Sequence, residues 1–151
     1  MESREDYEGI EGITIANINS ETNSDSSKTL NLTLLFNTIN DLQKVYDKEA
    51  GQDGNVSTLK YEDDGTRINY SLTIMKKPIS NPQDTSMNGL RNSIAEMMKN
   101  DSYTMEVEFP YFVETTNGEK INENTVRWKY AITDLYNLEE SLNMNAVLKK
   151  D

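Results

Sequence analysis

The chain has 151 residues, 26 acidic against 15 basic, a formal charge of -11 at neutral pH, and neither Cys nor His. Its length fits one domain able to bury roughly two thirds of its unfolded surface. The missing thiols and imidazoles exclude Cys nucleophiles, thiolate metal sites and His-based acid–base chemistry, and the acidic field disfavours nucleic acid as a partner.

Residues 1–9 are charged and read as a disordered N-terminal segment, leaving 10–149 as a single domain. Ile10, Ile13 and Ile15 suggest a first strand near 11–18, and the polar run 19–28 a loop. Leu30, Leu32, Leu34 and Phe36 alternate with Asn31 and Thr33, the pattern of a strand with one buried face. Asn37 is placed to cap a helix whose stripe is Ile39, Leu42, Val45, Tyr46 and Ala50, with Gly51 as its stop.

A hairpin is predicted next, from Val56 to Tyr61 and from Arg67 to Met75, joined through Asp63-Asp64-Gly65. In its second strand Ile68, Tyr70, Leu72 and Ile74 alternate with polar residues. Pro78 and Pro82 break the chain, and Thr85 or Ser86 opens a second helix with Met87, Leu90, Ile94, Met97 and Met98 on one face. Alternation returns at Tyr103, Met105, Val107 and Phe109, then at Val126, Trp128, Tyr130 and Ile132 after a turn at Asn117-Gly118. A last strand uses Leu142, Met144, Ala146 and Leu148. Alternating strands favour antiparallel pairing with one covered face. The order β-β-α-β-β-α-β-β-β therefore predicts an α+β fold, a mostly antiparallel sheet with two amphipathic helices packed on one face.

Trp128 reads as a core residue rather than a ligand floor, because Val126 and Tyr130 keep its alternation. Tyr111 and Phe112 follow Pro110, which interrupts the strand register. One of the pair then faces solvent or a groove as a ligand contact, or a bulge re-aims Phe112 into the core. The Met face of the second helix reads as core, or as an adaptable contact surface. Asp53-Gly54-Asn55 and Asp63-Asp64 lack calcium-loop spacing and suit turns. Glu106 and Glu108 share a strand face about 7 Å apart, a spacing known from glycoside hydrolysis, but no sugar platform accompanies them. Lys60, Arg67, Lys76, Lys77, Arg127 and Lys129 lie in or near strands and read as a solvated face. The seven Gly are scattered singly, so no phosphate loop is expected, and neither is a cofactor or a metal. No apolar run approaches the ~20 residues of a membrane helix. The polar opening fits a cytoplasmic protein or one whose export signal is absent from this chain.

The stretch Phe109-Pro110-Tyr111-Phe112-Val113-Glu114-Thr115-Thr116-Asn117-Gly118, followed by Asn124-Thr125-Val126-Arg127-Trp128, resembles the signature FPG-x-V-x-x-x-NG … GNTVTW of the LppM-type bacterial lipoprotein domain. Tyr111 stands where that pattern has Gly, and Glu123 where a Gly often precedes Asn124. The order of elements is also similar: an early hairpin, a helix before the signature and a strand after the Trp. The resemblance implies an exported, surface-exposed envelope lipoprotein. Its membrane attachment would lie in flanking segments absent from this chain. It implies a lipid or glycolipid as ligand, or an envelope protein as partner, and no enzymatic activity. The alternative expectation is an adhesion or phage component that self-associates through a sheet edge.

Overall fold

The computed structural model describes residues 7–25, 27–49, 55–76, 89, 93, 96–136 and 141–150. The chain divides into two compact units, Met1–Gln52 and Asp53–Asp151.

The first unit contains strands β1 (Ile13–Thr22) and β2 (Lys28–Phe36) and helix α1 (Ile39–Glu49). The strands form an antiparallel two-stranded sheet, with Ile13 opposite Phe36 and Ile18 opposite Leu32. A register shift between Ile15 and Asn17 makes Ala16 a bulge. That extra residue returns Ile18 to the face of Ile13 and Ile15, so all three oppose Leu32, Leu34 and Phe36. The predicted buried face of β2 is only half covered: Leu32 and Leu34 are half-buried, and Leu30 and Phe36 are exposed. Tyr7, inside the segment expected to be frayed, is 3% exposed, whereas residues 1–6 lie outside the described residues.

Thr38 caps α1, where Asn37 was expected. The Thr38 hydroxyl accepts from the Asp41 amide at 3.3 Å, and the Asp41 carboxylate accepts from the Thr38 amide at 3.0 Å, a reciprocal capping box. The Asn37 amide instead donates to the Gly12 carbonyl at 3.0 Å. The predicted stripe is correct at Leu42, Val45 and Tyr46, all buried; Ala50 lies outside the described residues.

The second unit holds two sheets. One has the order β3-β4-β9-β6, from Asn55–Asp63, Arg67–Lys76, Leu142–Lys149 and Phe112–Thr116; the other has the order β5-β8-β7, from Ser102–Glu108, Thr125–Ala131 and Glu119–Lys120. All pairs are antiparallel. In the β3–β4 turn, Gly65 takes φ 95°, and the Asp64 carboxylate accepts from the amides of Thr66 and Arg67. Buried residues alternate along β4 (Ile68, Tyr70, Leu72, Ile74) and β9 (Met144, Ala146, Leu148).

This inner face meets the second sheet. The Tyr70 ring stacks on Trp128 at 6.2 Å and meets the edge of Phe109 at 5.1 Å. The expected arrangement of two helices on one face is thus not what the described residues show. One helix belongs to the first unit. Met87, Leu90 and Ile94 of the other lie outside the described residues, while Gly89, Ser93, Glu96 and Met97 are helical. Ile132, expected to extend β8, instead begins a short helix α2 (Ile132–Tyr136), where the Asp134 carboxylate accepts from the Ala131 amide.

Candidate functional site

The segment 109–113 carries the chain from one sheet to the other. Proline has no amide to donate and cannot extend a ladder, so β5 stops at Glu108 and β6 starts at Phe112 across a bend at Pro110-Tyr111. Phe109 is buried, with its amide on the Asn124 carbonyl (2.8 Å) and its carbonyl accepting the Asn124 side-chain amide (3.1 Å). Val113 is buried too, and its carbonyl accepts the Lys120 ammonium at 2.6 Å. With Phe109 and Val113 both inward, Phe112 is left outside at 47% exposure, so a bulge does not return it to the core.

Phe112 lies opposite Lys149 on β9, and Lys149 lies opposite Arg67 on β4, giving one row across the outer face of the sheet. A bulge between Val113 and Thr115 frees Glu114 to reach over β9, where it takes Arg67 in a two-pronged ion pair at 2.7 and 3.0 Å. Arg67 holds the Glu114 carboxyl below its usual range. Arg67 is thereby occupied, and the Lys149 ammonium, opposite the ring on β9, adds its positive charge beside the same Glu114 carboxylate.

Tyr111 is half-buried and belongs to a different group. It is electrostatically coupled to Tyr61 and Lys150, and Lys150 is ion-paired with Asp63. Burial raises the Tyr61 phenol, reinforced by the Tyr111 and Asp63 charges; the hydrogen bond to Asp63 raises the Lys150 ammonium. Tyr111 and Phe112 thus differ in exposure, Tyr111 half-buried and Phe112 exposed. Phe112 is the exposed ring, with Lys149 as a neighbour that alternation alone does not reveal.

Asn117, Gly118 and Trp128 serve architecture. The Asn117 side-chain oxygen accepts from the Trp128 indole (2.9 Å) and the Asn145 amide (2.8 Å), while its nitrogen donates to the Asn143 carbonyl (2.7 Å). A side-chain amide thus continues the β6–β9 ladder after the backbone has turned toward β7, and it caps the buried indole. A Cβ on Gly118 would lie 2.6 Å from Val126 Cγ1, 2.7 Å from Trp128 Nε1 and 2.9 Å from the Arg127 carbonyl, so only glycine fits there. Trp128 is 2% exposed, the core residue its alternation predicts.

The other candidates resolve simply. Met97 is 85% exposed and Met98 half-buried, so the expected Met core face does not hold at Met97; Met87 lies outside the described residues. Asp63 and Asp64 are engaged by Lys150 and by the turn amides, Asp53 and Gly54 lie outside the described residues, and no acidic cluster able to hold a metal occurs among the described residues. Glu106 pairs with Arg127 at 2.8 Å across the β5–β8 ladder. No helix among the described residues is long and apolar enough to cross a membrane.

No family model and no curated protein matches this sequence. Among solved structures the chain is similar to the folded domain of LppM from Mycobacterium tuberculosis, determined by NMR, with 17% identity and a TM-score of 0.48. The match covers 89% of this chain and 63% of that one, so the chain spans less than two thirds of the length of the protein it resembles.

Proposed function

We propose that this chain is a non-catalytic, exported envelope domain of the LppM lipoprotein type, which meets a lipid, a glycolipid or an envelope protein through Phe112. The observation that carries the reading is the division of roles within 109–128. Asn117, Gly118 and Trp128, the residues matching the signature, are consumed in holding the corner, whereas Phe112 in the same stretch stays exposed beside Lys149. A ring fixed on a short edge strand loses little freedom on binding. An adjacent ammonium adds attraction for an anionic head group, so the pair suits a ligand that is apolar with a negatively charged end.

The mature mass and N-terminus of the full-length protein from its own cells test the location. A lipid-modified Cys upstream of these residues supports the reading, and an unmodified cytosolic chain overturns it. Cosedimentation with vesicles containing anionic phospholipid tests the contact. Phe112→Ser is expected to reduce binding severalfold without unfolding the domain; equal binding by the variant would remove Phe112 from the reading. Turnover of generic glycoside or ester substrates would overturn the non-catalytic assignment.

A further inference from the structure

The outer edge of β2 has the properties of an association surface. Its nine residues, Lys28–Phe36, pair with β1 on one side, and among the described residues no strand lies on the other. Natural edge strands are guarded by bulges, prolines or charges. β1 has such a guard in the bulge at Ala16. β2 has only Lys28 at its first position: it contains no Pro and no Gly, its register is regular, and no charge occurs from Thr29 to Phe36. Leu30 is 39% exposed and Phe36 36% on one face, and Leu35 is 58% exposed on the other.

Charge decides what fits this edge. In a chain of net charge -11, the two strands carry only Glu21 and Lys28, which sum to zero. A basic partner finds no anionic contact along the edge, whereas two acidic copies meet there without opposing like charges. The sequence is also self-complementary in the antiparallel sense. A two-fold axis through Thr33 sets Leu32 opposite Leu34 and Leu30 opposite Phe36 on one face, the cross-strand apolar pairs that stabilise sheets. We infer that β2 pairs with β2 of a second copy, producing a four-stranded sheet in the order β1-β2-β2-β1. A two-stranded sheet is marginal in isolation, and this pairing adds both strands and apolar neighbours.

Sedimentation velocity of the full chain over a wide concentration range tests the inference. A reversible monomer–dimer equilibrium is expected. Thr33 is exposed and lies on the axis, so Thr33→Lys places like charges opposite each other and should weaken dimerisation roughly fivefold or more. Thr33→Glu should do the same. Mixing the two variants should restore a one-to-one heterodimer, which a mere folding defect in either would not do. A wild-type monomer at every concentration overturns the inference. So does a dimer indifferent to both variants, or a mixture that fails to recover association.

Discussion

Removing the Asn117 side chain should cost far more than an exposed polar residue normally does. Asn117→Ala leaves the Trp128 indole N–H without its 2.9 Å acceptor, in a residue that is 2% exposed. A buried donor left unpaired costs about 1–3 kcal/mol. The bonds to Asn143 and Asn145 lie at the exposed sheet margin, where water substitutes, and together add about 1 kcal/mol at most. The expected loss is therefore about 1–4 kcal/mol, against a total stability of about 5–15 kcal/mol for an ordinary domain. Urea denaturation gives the magnitude, and Trp128 is the only tryptophan, so its fluorescence reports the same site. Asn117→Asp should fall between wild type and Ala at neutral pH, since it keeps the acceptor but sets a carboxylate against the Asn143 carbonyl. It should recover as acid protonates that carboxyl and restores a donor. A loss below about 0.5 kcal/mol for Asn117→Ala, the scatter of surface substitutions, would refute the argument that this amide extends the ladder and caps the indole.

Gly118→Ala should destabilise by about 1–3 kcal/mol, the usual cost of overpacking, because its Cβ meets the Arg127 backbone and the Trp128 ring; thermal melting checks this. Tyr70→Phe should be neutral or slightly stabilising by denaturant titration. The Tyr70 hydroxyl is buried without a hydrogen-bond partner among the described residues, and burial drives its phenol well above the ordinary value. Gly12→Ala should loosen the start of α1, seen as faster amide exchange there, since Gly12 has φ 84° and its Cβ would strike the Asp41 carboxylate of the capping box. Acid should weaken the fold: hydrogen bonds and cations hold Asp41, Asp63, Asp64 and Glu114 below their ordinary values of 3.8 and 4.5. A depressed folded pKa gives stability that is complete above the unfolded value and lost as pH falls through the folded one. The denaturation midpoint should therefore hold steady from neutral pH to about 5 and drop below the ordinary carboxyl range. Arg67→Met should flatten that drop by releasing Glu114.

Local periodicity carried most of the element assignments. Ile68, Tyr70, Leu72 and Ile74 on β4 and Met144, Ala146 and Leu148 on β9 could be read directly, because side chains in a strand alternate whatever its partners. The Asp64-Gly65 turn was legible for the same reason, as its hydrogen bonds run within four residues. The cap of α1 was misread by one residue, since Asn37 and Thr38 are both good caps and the reciprocal bond to Asp41 decides between them. The break at Pro110 marked Tyr111 and Phe112 but left open which of them, if either, faces outward; the structure decides for Phe112, and its neighbour Lys149 was not legible at all.

Sequence by itself determined the absence of thiol and imidazole chemistry, the strand faces, the buried Trp128 and the corner at Pro110, all of which depend on composition or on residues close in the chain. Tertiary structure alone decided that β9 lies between β4 and β6, that Trp128 and Phe109 of the second sheet's side meet Tyr70, and that Asn117 works as a piece of ladder. Those outcomes depend on which apolar faces meet across long stretches of chain, and alternation shows that a face is apolar without naming the face that covers it.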